Sequence, residues 1–486
     1  MSLDVLAHRV YFFFENIIIV YVFTINTIYF FLAAIAFFAL PKRHKQFTRV
    51  EQDALLKSPL MPGVSLIVPA YNEAATCKES VGGMLRLNYP NYEVIVVNDG
   101  SKDETLQVLV DSFHLYKSAR GTTGNLATKP VKQIYESADP VRLLVVDKAN
   151  GGKADAINVG LNAATNPLVM VVDSDSLIER DGVLNMVKAY LEDPERTIAV
   201  GGTVRAVNDC DVEHGLVRTI RTSSSHLANF QSVEYLRAFL GGRVGFSLIN
   251  SLLIISGAFG LFRRDAVLEA GGFDHDTIGE DMELVVRLHH LFLDQKRPYR
   301  IAYVASPVCW TEVPQSLKIL QRQRKRWQRG AVESLWRHRE MLLNPRYGVV
   351  GMFAFPYFAL FETLGPAVEF LGYVLTIIGL VFQIIAPSIA ALFFTVSILF
   401  GILLSTSAVL LEEYTACRYP SWKHTGRLFF AAIAENFGFR QLLTWWRVQG
   451  LIEALRGKKG GWGAMERRGF KVVGQPQTPL PNTGSN

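Results

Sequence analysis

Asp173 and Asp175 stand two residues apart at the end of an apolar run and are the first candidates for chemistry in this sequence. Carboxylate oxygens are the ligands that hard divalent cations prefer, and two aspartates can share one ion while a substrate diphosphate fills other positions. A solvated turn is the alternative for an isolated Asp-x-Asp pair. Its place directly after a predicted buried strand favours the metal-binding interpretation.

Three further polar residues also follow apolar runs. Asp99 is placed to hydrogen-bond a base or a ribose, although an Asp-Gly turn explains it equally well. Lys153 and Asp155 follow a Gly-Gly pair that opens a predicted helix. Backbone amides and a lysine at a helix start favour phosphate binding, whereas an ordinary glycine loop is the structural alternative.

Glu280 and Asp281 stand at the start of a predicted helix over residues 279–289. Acidic side chains are common at helix N-termini because they complement the helix dipole. The functional alternative is a general base that accepts a proton from a substrate hydroxyl.

A basic helix is predicted over residues 314–336. Its spacing places Gln323, Arg326 and Trp327 on one face, at positions i, i+3 and i+4. Arg324 and Lys325 are expected off this face, as surface charges. Contact of the whole helix with anionic lipid is the alternative to a role in binding substrate.

Four apolar runs supply the elements that must position these residues. They cover 64–70, 92–98, 141–147 and 167–173, and amphipathic or Ala-rich helical stretches separate them. This alternation predicts an α/β fold with a parallel, doubly wound sheet. Ligands of such sheets bind beyond the carboxyl ends of the strands, where the candidate residues lie. The sequence contains no GxGxxG or GxxxxGK[ST] motif, which argues against dinucleotide and P-loop binding.

Composition and charge restrict the class of protein. Of the 486 residues, 49% are hydrophobic and only 19% are charged, which is too apolar for an ordinary soluble chain of this length. The net charge is +6, and the segment from Glu412 onward holds eleven Lys and Arg against five Asp and Glu, an excess of six. Since the rest is nearly neutral, no nucleic-acid partner is expected. Four widely spaced cysteines, predicted to be reduced cytosolic thiols, are Cys77, Cys210, Cys309 and Cys417.

Long apolar segments predict a membrane protein. Residues 16–40 are uncharged and long enough for one span, and the basic residues that follow place the N-terminus outside and the next domain in the cytoplasm. The predicted divisions are a transmembrane helix in 1–45, a cytoplasmic domain over 60–343, an interfacial region over 346–369, a transmembrane hairpin over 370–411, and an interfacial or re-entrant helix with a basic cytoplasmic tail over 427–486. Gln383 and Pro387 mark the expected hairpin turn. The apolar stretch 244–255 is too short to span, and it either lines an acceptor path, lies on the interface or is part of the core.

Six motifs in chain order resemble those of the membrane-embedded processive family 2 glycosyltransferases, which include cellulose, hyaluronan and poly-N-acetylglucosamine synthases. The stretch GAFGLFRRDAVLEAGGF and the closing WGAMERRGF are most similar to the poly-N-acetylglucosamine synthases. GED departs from the TED of many relatives but keeps the aspartate. The motifs are NDGS (98–101), GGKADA (151–156), DSD (173–175), SGAFG (256–260), GED (279–281) and QRKRW (323–327).

The resemblance implies a cytoplasmic GT-A (Rossmann-like) domain that uses a UDP-sugar donor, with UDP-N-acetylglucosamine favoured. It implies that Asp99 and Asp155 bind the uridine and diphosphate. Asp175, with Asp173 nearby, would hold Mg²⁺ or Mn²⁺, which neutralises charge on the departing UDP.

On the acceptor side, the resemblance implies that Asp281 is the general base of an inverting reaction. Gln323, Arg326 and Trp327 would lie at the mouth of a polymer channel, with Arg326 near the diphosphate and Trp327 stacked on the terminal acceptor sugar.

The implied product is a β-linked exopolysaccharide exported through the cell (inner) membrane by a multi-pass protein. The implied partners are the growing polysaccharide, the lipid bilayer and an accessory export or regulatory subunit. Two alternatives stay open: a non-processive transferase that adds a sugar to a lipid carrier, and an inactive membrane receptor or assembly partner.

Overall fold

The computed structural model of the protein describes residues 3–43, 54–121, 124–138, 141–415, 419, 421–457 and 469–472. Cys417, most of the basic tail and most of WGAMERRGF lie outside these residues. Within them, Cys77, Cys210 and Cys309 are buried free thiols.

Ten strands form one mixed sheet. The four predicted strands are present as β1 (Val64–Ala70), β2 (Tyr92–Asn98), β5 (Arg142–Lys148) and β6 (Leu168–Val172). In the order β3-β4-β5-β2-β1-β6-β11-β8-β12-β7, the pairs from β5 to β6 are parallel, as is β8 with β12. The other strands are β3 (Tyr116–Ser118), β4 (Val131–Glu136), β7 (Ser176–Ile178), β8 (Thr197–Ala206), β11 (Phe259–Arg263) and β12 (Arg300–Thr311).

The predicted parallel arrangement is present in the centre of the sheet and in the β8–β12 pair, whereas the sheet as a whole is mixed. β3, β4, β7 and β11 pair antiparallel with their neighbours. The sequence pattern identified only strands that are buried on both faces, and those strands form the parallel centre. Two of the antiparallel strands, β3 and β7, have only three residues each and give a weak apolar signal.

Helices cover the sheet and continue into the apolar regions. A π-helix over Arg237–Arg243 joins α6 to α7, and a second helical stretch with π-type turns runs over Val350–Thr363. The helices are α1 (Leu3–Arg43), α2 (Cys77–Met84), α3 (Thr105–Ser112), α4 (Lys153–Ala163), α5 (Gly182–Leu191), α6 (His226–Leu236), α7 (Val244–Leu248), α8 (Arg264–Glu269), α9 (Glu280–Asp294), α10 (Leu317–Arg337), α11 (Gly365–Val381), α12 (Pro387–Thr415), α13 (Trp422–Ala434) and α14 (Phe439–Leu455).

The register of the central strands brings their carboxyl ends together. Ala70 at the end of β1 is opposite Asn98 of β2, and Asn98 is opposite Asp147 of β5. Because parallel strands end at the same edge, the loops after β1, β2, β5 and β6 converge there. The candidate residues that follow three of these strands are therefore neighbours in space.

Two helices are long and apolar enough to cross a membrane. They are Tyr11–Phe38 within α1 and Ala390–Tyr414 within α12. A third span results if Val350–Thr363 and α11, which meet at a bend of 42°, count as one. Between α11 and α12, Gln383 adopts a φ of 55°, so the chain turns where the sequence predicts a hairpin. The number of crossings and the domain boundaries stay predictions.

The apolar stretch 244–255 is part of the hydrophobic core. Val244, Phe246, Leu252, Leu253 and Ile255 are buried there. Leu248 and Ile249 of the same stretch are exposed, and Ile254 lines the cavity described below, so the core accounts for only part of it.

A small second sheet lies beside the first. It has the order β10-β9-β13, formed by Leu216–Thr219, Asp211–Glu213 and Lys471–Val472. Lys471 Nζ lies 2.9 Å from Asp211 Oδ1. The described end of the chain therefore returns to the sheet domain.

One buried ion pair joins α12, one of the two candidate membrane helices, to the central sheet. Arg205 of β8 pairs with Glu412 near the end of α12, and their side chains are only 5% and 2% exposed.

We expect Glu412→Ala to lower the free energy of unfolding by about 3–5 kcal/mol, because it leaves a buried guanidinium without its carboxylate. Chemical denaturation in detergent measures this change. In the control, Glu192→Ala, the lost pair with Arg300 involves a carboxylate that is 63% exposed, so stability should hardly change. Equal losses in both variants would contradict the role of the buried pair.

Candidate active site

A cavity of about 650 Å³ opens beyond the carboxyl ends of the central strands. The loop after β6, the start of α9 and one face of α10 form its walls. Eight of the ten residues singled out in the sequence line it; Asp99 and Asp155 do not. The eight are Lys153, Asp173, Asp175, Glu280, Asp281, Gln323, Arg326 and Trp327.

Lys153, the first residue of α4, links three walls of the cavity. Its Nζ lies 2.6 Å from Asp173 Oδ1 and 3.3 Å from Glu280 Oε1, and it donates to the backbone oxygen of Gly257. Burial lowers the pKa of Lys153, but the carboxylates of Asp173 and Glu280 outweigh burial and raise that pKa above its usual value. The side chain therefore stays positively charged at physiological pH and offers a cation to an anionic ligand.

Asp281 is held by two backbone donors. The amide of Gly257 donates to its Oδ2 at 2.9 Å, and the amide of Met282 donates to its Oδ1 at 2.8 Å. Its place in the first turn of α9 adds the favourable field of the helix N-terminus. Each carboxylate oxygen accepts one of these bonds and keeps a second acceptor position, so the group can also accept a proton or hydrogen bond from a ligand.

Glu280 is buried between Lys153 and the start of α9, with 6% of its surface exposed. Burial raises the pKa of its carboxyl, and Lys153 only partly offsets that effect. The two neighbouring carboxyl groups thus lie in different environments. Glu280 is enclosed beside Lys153, whereas Asp281 faces the cavity and is held by two backbone amides.

A contact between two glycines lets α10 approach the start of α9. A Cβ atom added to Gly330 would lie 2.9 Å from the Cα of Gly279, closer than real Cβ atoms approach. Ser334 Oγ, one turn further on, donates to the backbone oxygen of Gly330 at 2.8 Å. The close approach of Gly279 and Gly330 sets the distance between the acidic residues at the start of α9 and the basic face of α10.

The three residues of the predicted face of α10, Gln323, Arg326 and Trp327, all line the cavity but differ in exposure. Gln323 is buried, whereas Trp327 is 43% exposed and presents its ring at the cavity. Burial lowers the pKa of Arg326, and the nearby charges of Glu280, Asp173 and Asp281 partly restore it. Arg326 is thus a cation enclosed by the acidic residues of the cavity.

The interpretation of Arg324 as a surface charge is wrong. Its side chain is 4% exposed, its Nη2 donates to Glu234 Oε2 at 2.8 Å, and its guanidinium lies 4.4 Å from the ring centroid of Trp327. Lys325 is also paired, with Glu453 at 2.5 Å. These pairs could not be predicted from the sequence because Glu234 and Glu453 are far away along the chain.

Arg243 is a lining residue that sequence reasoning missed. It ends the π-helix Arg237–Arg243, and its guanidinium lies 3.9 Å from the ring centroid of Phe239. Burial lowers its pKa. No motif surrounds it in the sequence, and only the fold brings it to the cavity.

Asp173 and Asp175 fit a metal site that the substrate completes. Both line the cavity, and Asp175 is almost fully buried. Within the described ranges, no group of three or more His, Cys, Asp or Glu residues is arranged to hold a metal. Mg²⁺ is commonly bound through one or two carboxylates with phosphate oxygens of the substrate supplying other ligands, and two aspartates suit such a site.

Asp99 and Asp155 lie next to the cavity and not in its wall. Both are buried, and each makes an ion pair with Lys148, at 2.5 Å and 2.6 Å. The structure therefore brings them to each other and to the base of α4. Their predicted contact with a nucleotide stays a prediction.

The carboxylate of Asp281 faces two partly buried cations, Lys153 and Arg326, and the Asp173–Asp175 pair, all at the carboxyl ends of the strands of an α/β sheet. This arrangement defines a GT-A type glycosyltransferase. The fold is shared with the mannosyltransferase PcManGT from Pyrobaculum calidifontis, solved in complex with GDP-Man and Mn²⁺, with a TM-score of 0.51 and 20% sequence identity. The superposition covers 88% of this chain and 99% of that one.

The family is shown by sequence. The model of "Glycosyltransferase like family 2" matches residues 62–330, which is more than half of the chain. The chain belongs to this family.

Curated relatives include two staphylococcal enzymes. The chain is 31% identical over 297 residues to the poly-beta-1,6-N-acetyl-D-glucosamine synthase of Staphylococcus aureus (strain COL), covering 60% of this chain and 61% of that one. It is 31% identical over 314 residues to the synthase of the same name from Staphylococcus epidermidis, with 64% of each chain covered. The matches thus span less than two thirds of these relatives.

The glycine contact generates a first prediction for the site. We expect Gly330→Ala to lower the free energy of unfolding by about 1–3 kcal/mol and to reduce transferase activity, because the added methyl group pushes α10 away from α9. Gly426→Ala in α13 is the matched control, since nothing lies within 4 Å of its added Cβ. Thermal unfolding and activity of both variants test this, and a Gly330→Ala protein as stable and active as the control would contradict it.

A second prediction concerns pH. Burial raises the pKa of Glu283, but the hydrogen bond with His338 and the charge of Arg287 outweigh it and hold that pKa below its usual range. Its stabilisation is therefore complete above the unfolded pKa of about 4.3 and is lost as the pH falls through the lower folded value. We expect Glu283→Gln to be less stable than wild type by about 1–3 kcal/mol at pH 7. In unfolding curves recorded from pH 7 downward, this difference should shrink below about pH 4; a difference that grows on acidification would contradict the assignment.

Proposed function

We propose that the protein is a processive inverting glycosyltransferase that polymerises a UDP-sugar into a β-linked exopolysaccharide and moves the polymer across the membrane. The donor favoured is UDP-N-acetylglucosamine, in line with the names of the staphylococcal relatives. One observation carries the proposal: the cavity unites a backbone-fixed carboxylate, Asp281, with the cations Lys153 and Arg326. That set suits an acceptor hydroxyl and a diphosphate leaving group.

The donor side of the cavity is the part lined by Lys153, Arg326 and the Asp173–Asp175 pair. The two cations would bind the diphosphate, whose negative charge increases as the bond to the sugar breaks. Mg²⁺ or Mn²⁺, held by Asp173 and Asp175 together with the diphosphate, would supply further neutralisation of that charge. Release of Asp173 from its ion pair with Lys153 on donor binding would free both groups for this role.

Asp281 would be the general base. It takes the proton of an acceptor hydroxyl while the hydroxyl oxygen bonds to the anomeric carbon, and the bond from that carbon to the diphosphate breaks so that UDP leaves. Direct displacement of an α-linked donor inverts the anomeric centre and yields a β-linkage. The Gly257 and Met282 amides keep the carboxylate oriented during this transfer.

Trp327, Gln323 and the enclosed Glu280 would bind the acceptor. The half-exposed ring of Trp327 offers an apolar face to a sugar, and the cation of Arg324 above it fixes its orientation. A polymer that stays bound after each addition needs such a platform next to an exit. The apolar helices α1 and α12 and the bent helix pair supply membrane segments on both sides of the domain.

The proposed setting is the cell (inner) membrane, with the catalytic domain in the cytoplasm and the lipid bilayer around the apolar helices. The proposed partners are the UDP-sugar and the growing polysaccharide. An accessory export or regulatory subunit belongs to the same proposal.

The test uses full-length protein in lipid nanodiscs with Mg²⁺ or Mn²⁺. It is incubated separately with radiolabelled UDP-N-acetylglucosamine, UDP-glucose and UDP-glucuronate, and the product is sized and digested with specific glycosidases. We expect a long polymer from UDP-N-acetylglucosamine. A product limited to one added sugar would contradict processivity, and absence of turnover despite UDP binding would favour an inactive partner protein or a missing subunit.

The role of Asp281 is tested separately. We expect Asp281→Asn to bind UDP normally but to lose activity by about 10²–10⁴-fold, since the amide cannot accept the proton. Asp276→Asn, at an exposed position on the loop before α9, is the matched control and should keep polymer synthesis. Undiminished polymer from Asp281→Asn would exclude this residue as the base.

A further inference from the structure

Glu234, near the end of α6, is a carboxylate of the cavity wall that the proposed transfer step does not use. Its side chain is 24% exposed, and its Oε2 accepts a hydrogen bond from Arg324 Nη2 at 2.8 Å. One of its two oxygens is therefore committed to a cation of α10 and is not open toward the acceptor.

Arg324 links this carboxylate to the ring of Trp327. Arg324 is 4% exposed, and its guanidinium lies 4.4 Å from the centroid of that ring. A planar guanidinium is attracted to the face of an aromatic ring and stacks on it. Because a ring has two faces and Trp327 is 43% exposed at the cavity, the other face stays available for a sugar.

The two contacts together restrain a side chain that would otherwise turn freely. Arg324 and Trp327 are three residues apart on α10, so their side chains are neighbours on the helix surface. An exposed side chain changes rotamer within nanoseconds when nothing restrains it. A guanidinium that keeps its own carboxylate supplies the restraint. Without Glu234, Arg324 would be a buried charge without its partner, which is strongly unfavourable, and it would leave the ring.

Helices α6 and α10 are held together by contacts that do not involve Glu234. Gln231 Nε2 donates to the backbone oxygen of Pro314, just before α10, at 2.7 Å. An apolar cluster also joins α6, α10 and α14 and contains Leu227, Phe230, Leu320, Phe439 and Trp446. Loss of the Glu234 carboxylate should therefore leave the helices in place and change the orientation of Arg324 and of the ring beside it.

We infer that Glu234 and Arg324 are positioning residues that hold the ring of Trp327 as a platform for the acceptor sugar and thereby set the length of the product. The acceptor must stay bound while UDP leaves and a new donor enters, so its residence time decides how many sugars are added. A ring that is fixed in advance binds the sugar without losing rotamer freedom. This inference rests on the proposed function for the identity of the acceptor, whereas the hold on the ring does not depend on it.

The first test compares Glu234→Gln and Arg324→Met with wild type in nanodiscs supplied with UDP-N-acetylglucosamine. Product length, kcat, the KM of the donor and the inhibition constant of UDP are measured. We expect the product to be about tenfold shorter, equivalent to about 1.4 kcal/mol, while the KM and the UDP inhibition constant stay within about a factor of two. A disturbed fold would change the donor constants as well. Product of wild-type length, or donor constants that change as much as the length, would overturn the inference.

A second readout follows the ring itself. The chain has seven tryptophans, and protein labelled with 5-fluorotryptophan gives a fluorine NMR signal for each of them. The signal of Trp327 is identified by its loss in Trp327→Phe. In Glu234→Gln and Arg324→Met, this signal should shift or broaden because the ring samples more than one rotamer. An unchanged signal in both variants would overturn the inference.

The double variant separates positioning from direct contact with the acceptor. If Glu234 acts through Arg324, Glu234→Gln/Arg324→Met shortens the product no more than Arg324→Met alone. Additive losses would mean that Glu234 contacts the acceptor itself, and they would overturn the inference. The double variant also removes both charges of the buried pair, so it replaces a single variant that does not fold. A short product and a changed Trp327 signal then support the inference, and wild-type values overturn it.

Arg339→Met is the matched control. The guanidinium of Arg339 lies 5.2 Å from the ring centroid of Trp336, also three residues away, and neither residue is among those that line the cavity. Product length and the Trp327 signal should stay as in wild type, and a product as short as that of Arg324→Met would overturn the inference. If the wild-type protein adds a single sugar with every donor, the proposed function fails, whereas the fluorine signals still decide whether Glu234 and Arg324 hold the ring.

Discussion

The active site depends on one enclosed charge, the ammonium of Lys153. It is reached from three directions: Asp173 follows β6, Glu280 begins α9, and the Gly257 carbonyl lies on the loop before β11. An ammonium in a low-dielectric position is stable only with carboxylates at close range, and those carboxylates are themselves costly to bury without it. The three elements therefore keep their relative positions because separating them would expose unpaired charges. The parallel register of β1, β2 and β5 makes this convergence possible.

The sequence predicted the parts of the molecule whose signal is local. Runs such as YEVIVVN are buried almost throughout, and they became the parallel centre of the sheet. Five of the eight candidate residues in the cavity follow a strand end or begin a helix, and the other three share one face of α10. The edge strands β3 and β4 were missed because three to six residues with mixed burial resemble loops in sequence.

What sequence could not show were pairings between residues far apart along the chain. In the sequence, Arg324 cannot be distinguished from the other basic residues of its helix. In the structure it is buried and paired with Glu234, which lies 90 residues earlier in the chain. Asp99 has the sequence context of a turn or a nucleotide ligand, and in the structure it also accepts hydrogen bonds from a lysine and a glycine turn some 50 residues later. The spacing of motifs predicts which residues lie near a site, but it does not predict which other residues they hydrogen-bond.

Helix α10 connects the cavity to the apolar helices that follow the sheet domain. One face carries Gln323, Arg326 and Trp327 at the cavity, and the opposite side contacts α14 through the pairs Lys325–Glu453 and Gln328–Arg447. Gln328 also donates to the backbone of Thr363 at the bend before α11. Because α10 is a continuous helix, a movement of the face that contacts α14 would also move the face that lines the cavity.

At that bend, the polar contacts continue into α1, the first of the candidate membrane helices. Glu362 accepts hydrogen bonds from Tyr29 of α1 at 2.7 Å and from Tyr357 at 3.2 Å, and Arg447 of α14 donates to its backbone oxygen. Buried polar groups in such a network are stable only when all partners stay in place. Under the proposed function, a sugar that stacks on Trp327 rests on an element held directly by the bent helix pair and, through it, by α1. The catalytic residues and the membrane helices then keep a fixed distance, which a polymer passing from one to the other requires.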